Sequence, residues 1–522
     1  MKLNSLPLFF LDLQTTGAKP ESGHILEIAW GSHALKTCSI LVEQPGLESI
    51  PRRIQMVTGV RDADMELAVP FPEVMKNLQD FIHNVSPTNS ICIIHFAQFE
   101  KPFLKAAFSR FADDIPFPII CTHEIAKRLY PNLPSRGIKG LAGFFGNNSG
   151  EFKRATGHVD ATKMIWEKLL DSLSEIGVNT IDELNNWLKE TPKKSRTKYE
   201  YPLPKEKRLD LPDLPGIYRM LNSKGEVLYV GKATSLRDRV NSYFRGQKKR
   251  DSRKLEMLAQ VYDLHVTICG SPLEAALMET DEIKKINPYY NIALKKGFRS
   301  LVFFTRDFSS SNDFGSAEYC IGPFSSALVF QSMLKLNSYI KNSDTLILPD
   351  EDMFYETLDP NLIKSGLELF CFRHQIELSV FSSMRSILAL GIIWNKRMVP
   401  EDEEVKADAI EEDILQTEEV VSLTPDDIAD KFERHFIRVG KAYLRSKKLS
   451  KLLNSNIDFM EPCGIKQRLI IRNGRILKDL HETTIDNTWE TGTIETYDRM
   501  TVLMTELDRI RTQEGSIKIH SL

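Results

Sequence analysis

The stretch from Pro215 to Phe244 constrains the fold of this chain more than any other part of the sequence. It reads PGIYRMLNSKGEVLYVGKATSLRDRVNSYF and predicts a strand, a turn, a second strand and a helix. We place the strands at Gly216–Leu221 and Glu226–Val230, joined by a turn at Asn222–Gly225 where asparagine and glycine tolerate positive φ. Apolar residues at helical spacing then indicate the helix: Leu236, Val240 and Tyr243.

The polar residues of this stretch are suited to the hydrolysis of a phosphodiester. Tyr218 and Tyr229 lie on the two paired strands, and Lys232 and Arg239 follow at the strand end and on the helix. A phenol can transfer a proton, and a cation can stabilise the negative charge that develops on a phosphate. The pattern therefore predicts a phosphodiesterase site.

The same residues resemble the signatures of the GIY-YIG nucleases, most closely those of the UvrC/Cho excision-repair type. GIY is Gly216–Tyr218, and the second signature is Tyr229–Gly231. The further elements of the type follow in order: Tyr229–Ala233 as YVGKA, Arg239, Ser242–Phe244 as SYF, Glu279 on a predicted helix, and Pro288, Tyr289 and Asn291. The resemblance implies a small α+β domain that cuts DNA.

The resemblance also implies a role for each site residue. Glu279 would hold one Mg²⁺ or Mn²⁺ through a hard oxygen ligand. Tyr229 is the candidate general base, with Tyr218 supporting or sharing that role, and the nearby cations favour an ionised phenol. The remaining roles are these: Lys232 and Arg239 contact the nucleic acid, Arg239 binds the scissile phosphate, Tyr243 packs or contacts phosphate, and Asn291 orders the site by hydrogen bonding.

The N-terminal third alternates predicted strands and helices, which indicates an α/β layer fold. Strands are expected at Leu8–Thr16, His24–Trp30 and Ser90–His95, and helices at Phe71–Val85 and Phe103–Phe111. Over about residues 5–170 the motifs resemble those of DnaQ-like, DEDD-type 3′–5′ exonucleases, which have an RNase H-like fold. The matching segments are Asp12–Gly17, Ile54–Gly59, His95–Leu104, Cys121–Pro131, Lys139–Gly146 and Arg154–Thr162.

The candidate exonuclease site departs from the family's set of four carboxylates, which hold two metal ions. Asp12 is present, Gln14 replaces a glutamate, and Glu100 replaces an aspartate. Asp160 is the candidate for the third motif, and His158 precedes it by two residues instead of the usual five. We expect either a degenerate exonuclease fold that binds DNA or positions the next domain, or a working exonuclease with an altered metal site.

Charge and composition place the chain among soluble, cytoplasmic proteins that bind nucleic acid. Residues 191–300 contain 23 lysines and arginines against 13 acidic residues, although the whole chain carries a net charge of −3. A basic segment around a nuclease motif suits a polyanion such as DNA. The seven cysteines form no CxxC pair, and no apolar run is long enough to predict a membrane span.

The linker and the C-terminal region carry weaker signals. Residues 191–210 hold three prolines and seven basic residues, which predicts an exposed connector that either tethers two domains and touches DNA or acts as a solvated spacer. Gly322–Leu336 is expected to begin as a turn and become a helix similar to one that follows the nuclease domain in UvrC/Cho proteins. Further expectations are an acidic solvated run at Glu401–Glu419, a hairpin at Asn473–Gly474 and a helix at Thr491–Arg511.

These observations lead to an α/β multidomain chain. The expected parts are a DnaQ-like domain (residues 1–172, the N-terminal domain), a helix and basic linker (173–210), a GIY-YIG domain (211–298) and an unassigned mixed C-terminal region (299–522). The expected function is a nucleotide-excision-type DNA endonuclease that makes a single type of incision, with a UvrB-like damage-loading protein as a possible partner. The alternatives are a metal-dependent 3′–5′ exonuclease with an accessory GIY-YIG domain, and an inactive DNA-binding adaptor.

Overall fold

The structure is a computed structural model that describes most of the chain. The described residues are 1–21, 23–44, 46, 49–87, 89–109, 114–147, 152–191, 199–245, 251–292, 294, 301–341, 359–398, 423–460, 464, 466–472, 474–478, 493–513 and 515–521. They divide into two compact units. Unit 1 holds Met1–Asp213, Tyr218–Tyr229 and Ser235–Val266, and unit 2 holds Leu214–Ile217, Val230–Thr234 and Thr267–Leu522.

The N-terminal domain of unit 1 is built on a five-stranded sheet with helices on both faces. Its elements are β1 (Leu8–Thr15), β2 (Ile25–Gly31), β3 (Cys38–Leu41), α1 (Arg52–Thr58), α2 (Phe71–Val85), β4 (Ile91–Ile94), α3 (Ala97–Phe108), β5 (Ile119–Cys121), α4 (Thr122–Leu129), α5 (Ile138–Phe144), α6 (Ala155–Glu175) and α7 (Ile181–Lys189). The strand order is β3-β2-β1-β4-β5. Strands β1, β4 and β5 pair in parallel, and β2 runs antiparallel to both of its neighbours, β1 and β3.

All residues of strand β1 are buried. Successive side chains of a strand point to opposite faces of the sheet, and helices cover both faces here. Phe10 belongs to a core with α4, α5, α6 and α7, and Phe9 and Leu11 belong to the core with α2 and α3. Asp12 and Gln14 lie on the same face as Phe10, which is the face that α6 covers. The buried apolar side chains, at about 1.5–3 kcal/mol each, hold these polar residues in place.

A second, three-stranded sheet has the order β7-β6-β8. Its elements are α8 (Lys205–Leu209), β6 (Gly216–Leu221), β7 (Val227–Ala233), α9 (Leu236–Ser242), α10 (Ser252–Leu258), β8 (Asp263–Ile268) and α11 (Pro272–Ile286). The expected hairpin turn is confirmed: Gly225 has a φ of 80°, and the Asn222 side chain accepts the backbone N–H groups of Lys224 and Glu226, both at 2.9 Å.

The C-terminal region belongs to unit 2 and contains two further cores. Its elements are β9 (Val302–Phe304), β10 (Ser311–Asn312), β11 (Ile321–Phe324), α12 (Leu328–Lys341), α13 (Pro360–His374), α14 (Met384–Met398), α15 (Pro425–Leu452), β12 (Ser455–Met460), β13 (Lys466–Arg472), β14 (Arg475–Lys478), α16 (Ile494–Thr512) and β15 (Ser516–Ser521). The first core is rich in aromatic side chains and is formed by the strands β9 and β11 and the helices α12, α13, α14 and α15. The second joins the sheet β14-β13-β12-β15 to α16, to the end of α15 and to Leu273 and Leu277 of α11.

The α/β class and the RNase H-like and GIY-YIG folds expected from sequence are confirmed, and the α2 bounds agree with the expected helix. Three local expectations were wrong. Helix α3 begins at Ala97 and ends at Phe108, and β7 runs on from Val230 to Ala233. Gly322 lies in strand β11 instead of a turn, because β9 supplies a pairing partner for Ile321 and Phe324.

Other expectations fall partly or wholly outside the described residues. The acidic run Glu401–Glu419 lies outside them, as does Asn473 of the expected hairpin. The hairpin is nevertheless supported by its flanking strands, since Arg472 pairs with Arg475 across β13 and β14. The helix expected at Thr491–Arg511 is α16. Within the described part of the chain, no helix combines the length and the apolar character needed to cross a bilayer.

Candidate active sites

Three tyrosines of unit 1 form a compact cluster, which we call the tyrosine cluster: Tyr218 on β6, Tyr229 on β7 and Tyr243 directly after α9. Their ring centroids are 6.1 to 6.2 Å apart in each pairing. The hydroxyl of Tyr243 lies 3.0 Å from that of Tyr218 and donates to that of Tyr229 at 3.4 Å. The cluster is therefore a hydrogen-bonded relay of phenols, with Tyr243 at its centre.

Burial and charge distinguish the members of the tyrosine cluster. Tyr218 is fully buried, and its pKa is raised by burial and by the neighbouring Tyr229 and Tyr243 phenols. Arg239 of α9 lies over the Tyr243 ring, with its guanidinium carbon 5.4 Å from the ring centroid. Although burial opposes it, the pKa of Arg239 is raised by the phenols of Tyr218 and Tyr243. Tyr218 therefore stays protonated and can donate, and Arg239 supplies a permanent positive charge.

In unit 2, two side chains hold the backbone of strand β7. The Asn291 amide accepts the Val230 N–H and donates to the Val230 carbonyl, both at 2.9 Å, and the side chain is buried. Glu279 of α11 accepts the Lys232 N–H at 2.9 Å. Ser271 caps the N-terminus of helix α11, because its hydroxyl accepts the Glu274 N–H, so a capped helix fixes the position of Glu279. The predicted ordering role of Asn291 thus has a physical basis, which is the closure of a strand edge.

The Glu279 carboxylate is a hard oxygen donor, which suits Mg²⁺ or Mn²⁺. One of its oxygens accepts a backbone N–H, so the carboxylate is already oriented in this structure. Among the described residues, no group of three or more His, Cys, Asp or Glu side chains is arranged as a metal site. The resemblance implies a single protein carboxylate as the ligand of the ion, and Glu279 fits that role.

In the N-terminal domain, Asp12, Glu100 and His158 lie together, and we call them the Asp12 cluster. The Nδ1 atom of His158 is 3.2 Å from Oδ1 of Asp12, and its Nε2 lies 2.9 Å from the Phe152 carbonyl oxygen. Burial lowers the pKa of His158, but the charge and hydrogen bond of Asp12 outweigh it and raise the pKa overall. An imidazolium donating from both nitrogens satisfies both contacts.

Glu100 completes the Asp12 cluster from helix α3. Its side chain is buried, and burial together with the negative charge of Asp12 raises the pKa of its carboxyl. Two divalent ions need several carboxylate ligands between them, and this cluster supplies Asp12 and Glu100, with His158 where a further carboxylate would be needed. Gln14, buried on the same face of β1, adds a neutral amide. These residues do not fit a pair of divalent ions.

Asp160 does not lie in the Asp12 cluster. It is two residues beyond His158 on α6, roughly 200° around the helix axis, so it lies on another face. Its carboxylate accepts from the Thr37 hydroxyl and, at 3.3 Å, from Lys163, and 63% of its side chain is exposed. The structure thus contradicts the expectation that Asp160 supplies the third-motif carboxylate near Asp12. His158 occupies the α6 position that faces Asp12.

The sequence contained a signal for this assignment. The buried apolar residues of α6 recur at helical spacing, and His158 falls within that face beside Val159 and Thr162. Sequence reasoning also missed a buried ion pair that starts α6. Arg154 donates to both carboxylate oxygens of the fully buried Glu27, at 2.8 to 3.1 Å. Glu27 pairs with Gln14 across β1 and β2, so this ion pair fixes α6 beside the Asp12 cluster.

Comparison with known proteins found matches to both regions described above, the one that contains the tyrosine cluster and the one that contains the Asp12 cluster. A family model of the UvrC-like GIY-YIG domain matches residues 214–292, and an exonuclease family model matches residues 9–150. The chain therefore carries nuclease domains of two kinds. In particular, it has an exonuclease-type domain followed by a UvrC-like GIY-YIG domain.

Individual relatives match different shares of the chain. A protein of Mycobacterium tuberculosis named as a bifunctional exonuclease/endonuclease is 30% identical over 314 residues, which are 57% of this chain and 46% of that protein. The UvrABC system protein C of Chlorobaculum tepidum is 37% identical over 137 residues, 25% of this chain and 22% of that protein. The chain thus spans less than half the length of these curated relatives.

Among solved structures, the chain is similar to the GIY-YIG N-terminal endonuclease domain of UvrC from Thermotoga maritima. That protein was crystallised with its catalytic divalent cation, magnesium. The identity is 30%, the match covers 17% of this chain and 93% of that chain, and the TM-score is 0.15.

Proposed function

We propose that this chain is a DNA endonuclease of the nucleotide-excision type, and that its GIY-YIG domain hydrolyses one phosphodiester per incision. The observation that carries the proposal is the anchoring of strand β7. The strand that bears Tyr229 and Lys232 has its backbone held by the Asn291 amide and the Glu279 carboxylate. Family residues at family spacing are thus also fixed in space, as preorganised catalysis requires.

In this proposal the phenols divide the work of proton transfer. Tyr229 takes the proton from the attacking water as general base, and Tyr243, whose hydroxyl lies near those of both other tyrosines, links Tyr229 to Tyr218. Tyr218 acts as a protonated donor, because its pKa is raised. The sequence left open whether Tyr218 shares the role of base, and this burial favours a supporting role.

The cationic and metal-binding residues act on the phosphate. Arg239 binds the scissile phosphate through its planar donor fork, and Lys232 adds a second positive charge. Glu279 would hold a divalent cation, Mg²⁺ or Mn²⁺, and such an ion would supply Lewis-acid stabilisation of the charge on the phosphate and on the leaving oxygen.

The N-terminal domain, in the same proposal, binds or positions DNA without cutting it. The Asp12 cluster supports this role, since it offers two carboxylates, Asp12 and Glu100, and places His158 and the Gln14 amide where two metal ions would need further carboxylates. The 3′–5′ exonuclease alternative requires those ions. The net charge of +10 in residues 191–300 supports DNA as the substrate. A UvrB-like loading protein and a cytoplasmic location remain part of the proposal.

The proposal is tested with a duplex that carries one bulky lesion, incubated with Mg²⁺ or Mn²⁺, with and without a damage-loading system. We expect a discrete nick that needs the metal and disappears in Glu279→Ala. Glu282→Ala is the matched control, because it removes the same charge from the same helix about one turn further along. Equal nicking by Glu279→Ala and the wild type would contradict the proposal.

A further inference from the structure

Helix α16 of the C-terminal region lies against α11, the helix that carries Glu279. Two ion pairs join them: Lys284 to Asp498 at 2.6 Å and Asp281 to Arg499 at 3.4 Å. Leu273 and Leu277 of α11 belong to the same apolar core as Met500, Leu503 and Leu507 of α16. Both helices belong to unit 2. The C-terminal region therefore packs directly on an element of the proposed endonuclease site.

One carboxylate of α16 extends beyond this contact to Lys232. Only 5% of the Glu506 side chain is exposed, and its Oε1 pairs with Nζ of Lys232. Its Oε2 accepts from Nε of Arg509, one turn further along α16, at 2.7 Å. Glu506 is thus fixed by burial and by a second cation, while 38% of the Lys232 side chain remains exposed.

Carboxylates from two helices consequently hold Lys232, one at its backbone and one at the end of its side chain. Glu279 of α11 accepts its backbone N–H, and Glu506 of α16 pairs with its ammonium group. A free lysine side chain samples many rotamers, and an ion pair to a rigid partner restricts them. Because 38% of the Lys232 side chain is exposed, the residue remains accessible to a phosphate.

We propose that Glu506 is a positioning residue for Lys232 in DNA cleavage, so that the C-terminal region completes the endonuclease site. This inference rests on the proposed function of the GIY-YIG domain. Helix α16 is already docked by two other ion pairs and by an apolar core, so docking does not account for a carboxylate aimed at Lys232. A rigid acceptor on one side of the ammonium group sets the direction of its remaining N–H donors.

The test compares the cleavage kinetics of Glu506→Gln with those of Asp508→Asn in the full chain. Asp508 lies two residues along α16, is partly exposed, and pairs at 3.4 to 3.8 Å with Arg511 and Lys448, away from Lys232. We expect kcat to fall about 10- to 100-fold in Glu506→Gln with KM for DNA within about twofold, because small misplacement of a catalytic group costs about that much. Asp508→Asn should match the wild type.

A double-mutant cycle with Lys232→Met identifies the route of the effect. If Glu506 acts through Lys232, Glu506→Gln causes no further loss in a Lys232→Met background. A second readout needs no cleavage at all. The rate at which an amine-acylating reagent modifies Lys232, followed by peptide mass spectrometry, should rise several-fold in Glu506→Gln and stay unchanged in Asp508→Asn.

Each other outcome overturns the inference. A rise in kcat for Glu506→Gln means that the ion pair restrains Lys232 as an inhibitory lock. If Glu506→Gln lowers kcat by the same factor in the Lys232→Met background as in the wild type, Glu506 does not act through Lys232 and only supports the fold. If the wild type cuts no DNA, or if Glu279→Ala cuts normally, the proposed function fails and this inference with it. That failure is recognised from the wild type and Glu279→Ala alone.

Discussion

Glu100 is buried beside Asp12, and both its burial and the Asp12 charge favour the protonated form of its carboxyl. Because the folded pKa lies above the unfolded value, the folded state holds its proton to higher pH than the unfolded state does. The free energy of unfolding therefore falls as pH rises above the unfolded pKa, with a slope of up to about 1.4 kcal/mol per pH unit. Below that pKa the group has no effect, because both states are protonated.

Substituting Glu100→Gln removes this titration and keeps the size of the side chain. We expect the stability of Glu100→Gln relative to the wild type to increase as pH rises above the ordinary carboxyl range, and to level off once the folded carboxyl ionises. Amide hydrogen exchange of β1 and β4 measures the opening free energy of this domain. Glu175→Gln, at the exposed end of α6, is the control, and a pH-independent difference for Glu100→Gln would contradict the account.

The tyrosine cluster gives a second prediction for single residues. Tyr229→Phe removes the proposed general base, and kcat for DNA cleavage should fall about 10²- to 10⁴-fold. Tyr218→Phe removes the buried hydrogen bonds of the Tyr218 hydroxyl to Tyr243 and Arg239, each worth about 0.5–1.5 kcal/mol, so the loss should stay below about 100-fold. Single-turnover cleavage of the lesion duplex measures both. A larger loss in Tyr218→Phe than in Tyr229→Phe would exchange the two roles.

At the scale of elements, strand β7 owes its C-terminal half to partners that are distant in sequence. Asn291 is 61 residues from Val230, and Glu279 is 47 residues from Lys232. Local patterns predicted the strand only to Val230, because glycine at position 231 weakens a strand and neither partner is visible within a local window. The structure extends it to Ala233.

Removal of the Asn291 amide tests this dependence. Asn291→Ala leaves the buried N–H and carbonyl of Val230 without the side chain that pairs with them. We expect a loss of about 1–3 kcal/mol in the free energy of unfolding, measured by denaturant titration with exchange at β7 amides as a local probe. Asn361→Ala, at an exposed position in the first turn of α13, should change stability by less than about 0.5 kcal/mol. Equal effects of the two substitutions would show that β7 does not need the amide.

Other elements were readily predicted because their signals are local. The hairpin at Asn222–Gly225 depends on turn residues and flanking β-formers, and α2 depends on an amphipathic period within a single segment. The Asp12 cluster was only half predictable. Asp12 and Glu100 stand in recognisable motifs. That His158 and not Asp160 faces Asp12 depends on how α6 is rotated about its axis, and the Glu27–Arg154 ion pair sets this rotation.

At the scale of the whole molecule, the C-terminal region could not be assigned from sequence because its cores are non-local. Strand β12 pairs with β15 near the chain end, and the core of α16 includes side chains of α11 more than 200 residues earlier. The Lys232–Glu506 pair joins residues 274 positions apart. Such contacts follow from tertiary packing, and no motif spacing indicates them.

The buried pair between Lys284 and Asp498 predicts how these distant segments depend on each other. Asp498→Ala leaves an unpaired buried ammonium group and should destabilise unit 2 by about 3–5 kcal/mol. Replacing both partners in Lys284→Met/Asp498→Leu should recover most of that stability, because an apolar pair has no desolvation penalty. Thermal unfolding of the two variants measures the difference. A double variant no more stable than Asp498→Ala would contradict the assignment of a paired charge.

The central claim is that the GIY-YIG domain is the working nuclease of this chain. The most direct measurement uses the lesion duplex labelled at each end in turn, with wild type, Glu279→Ala and Asp12→Ala compared under Mg²⁺ and Mn²⁺, with and without a damage-loading system. The account predicts one discrete internal cut that Glu279→Ala loses and Asp12→Ala keeps. A ladder shortening from the 3′ end, lost only in Asp12→Ala, would contradict it and make the N-terminal domain the active nuclease.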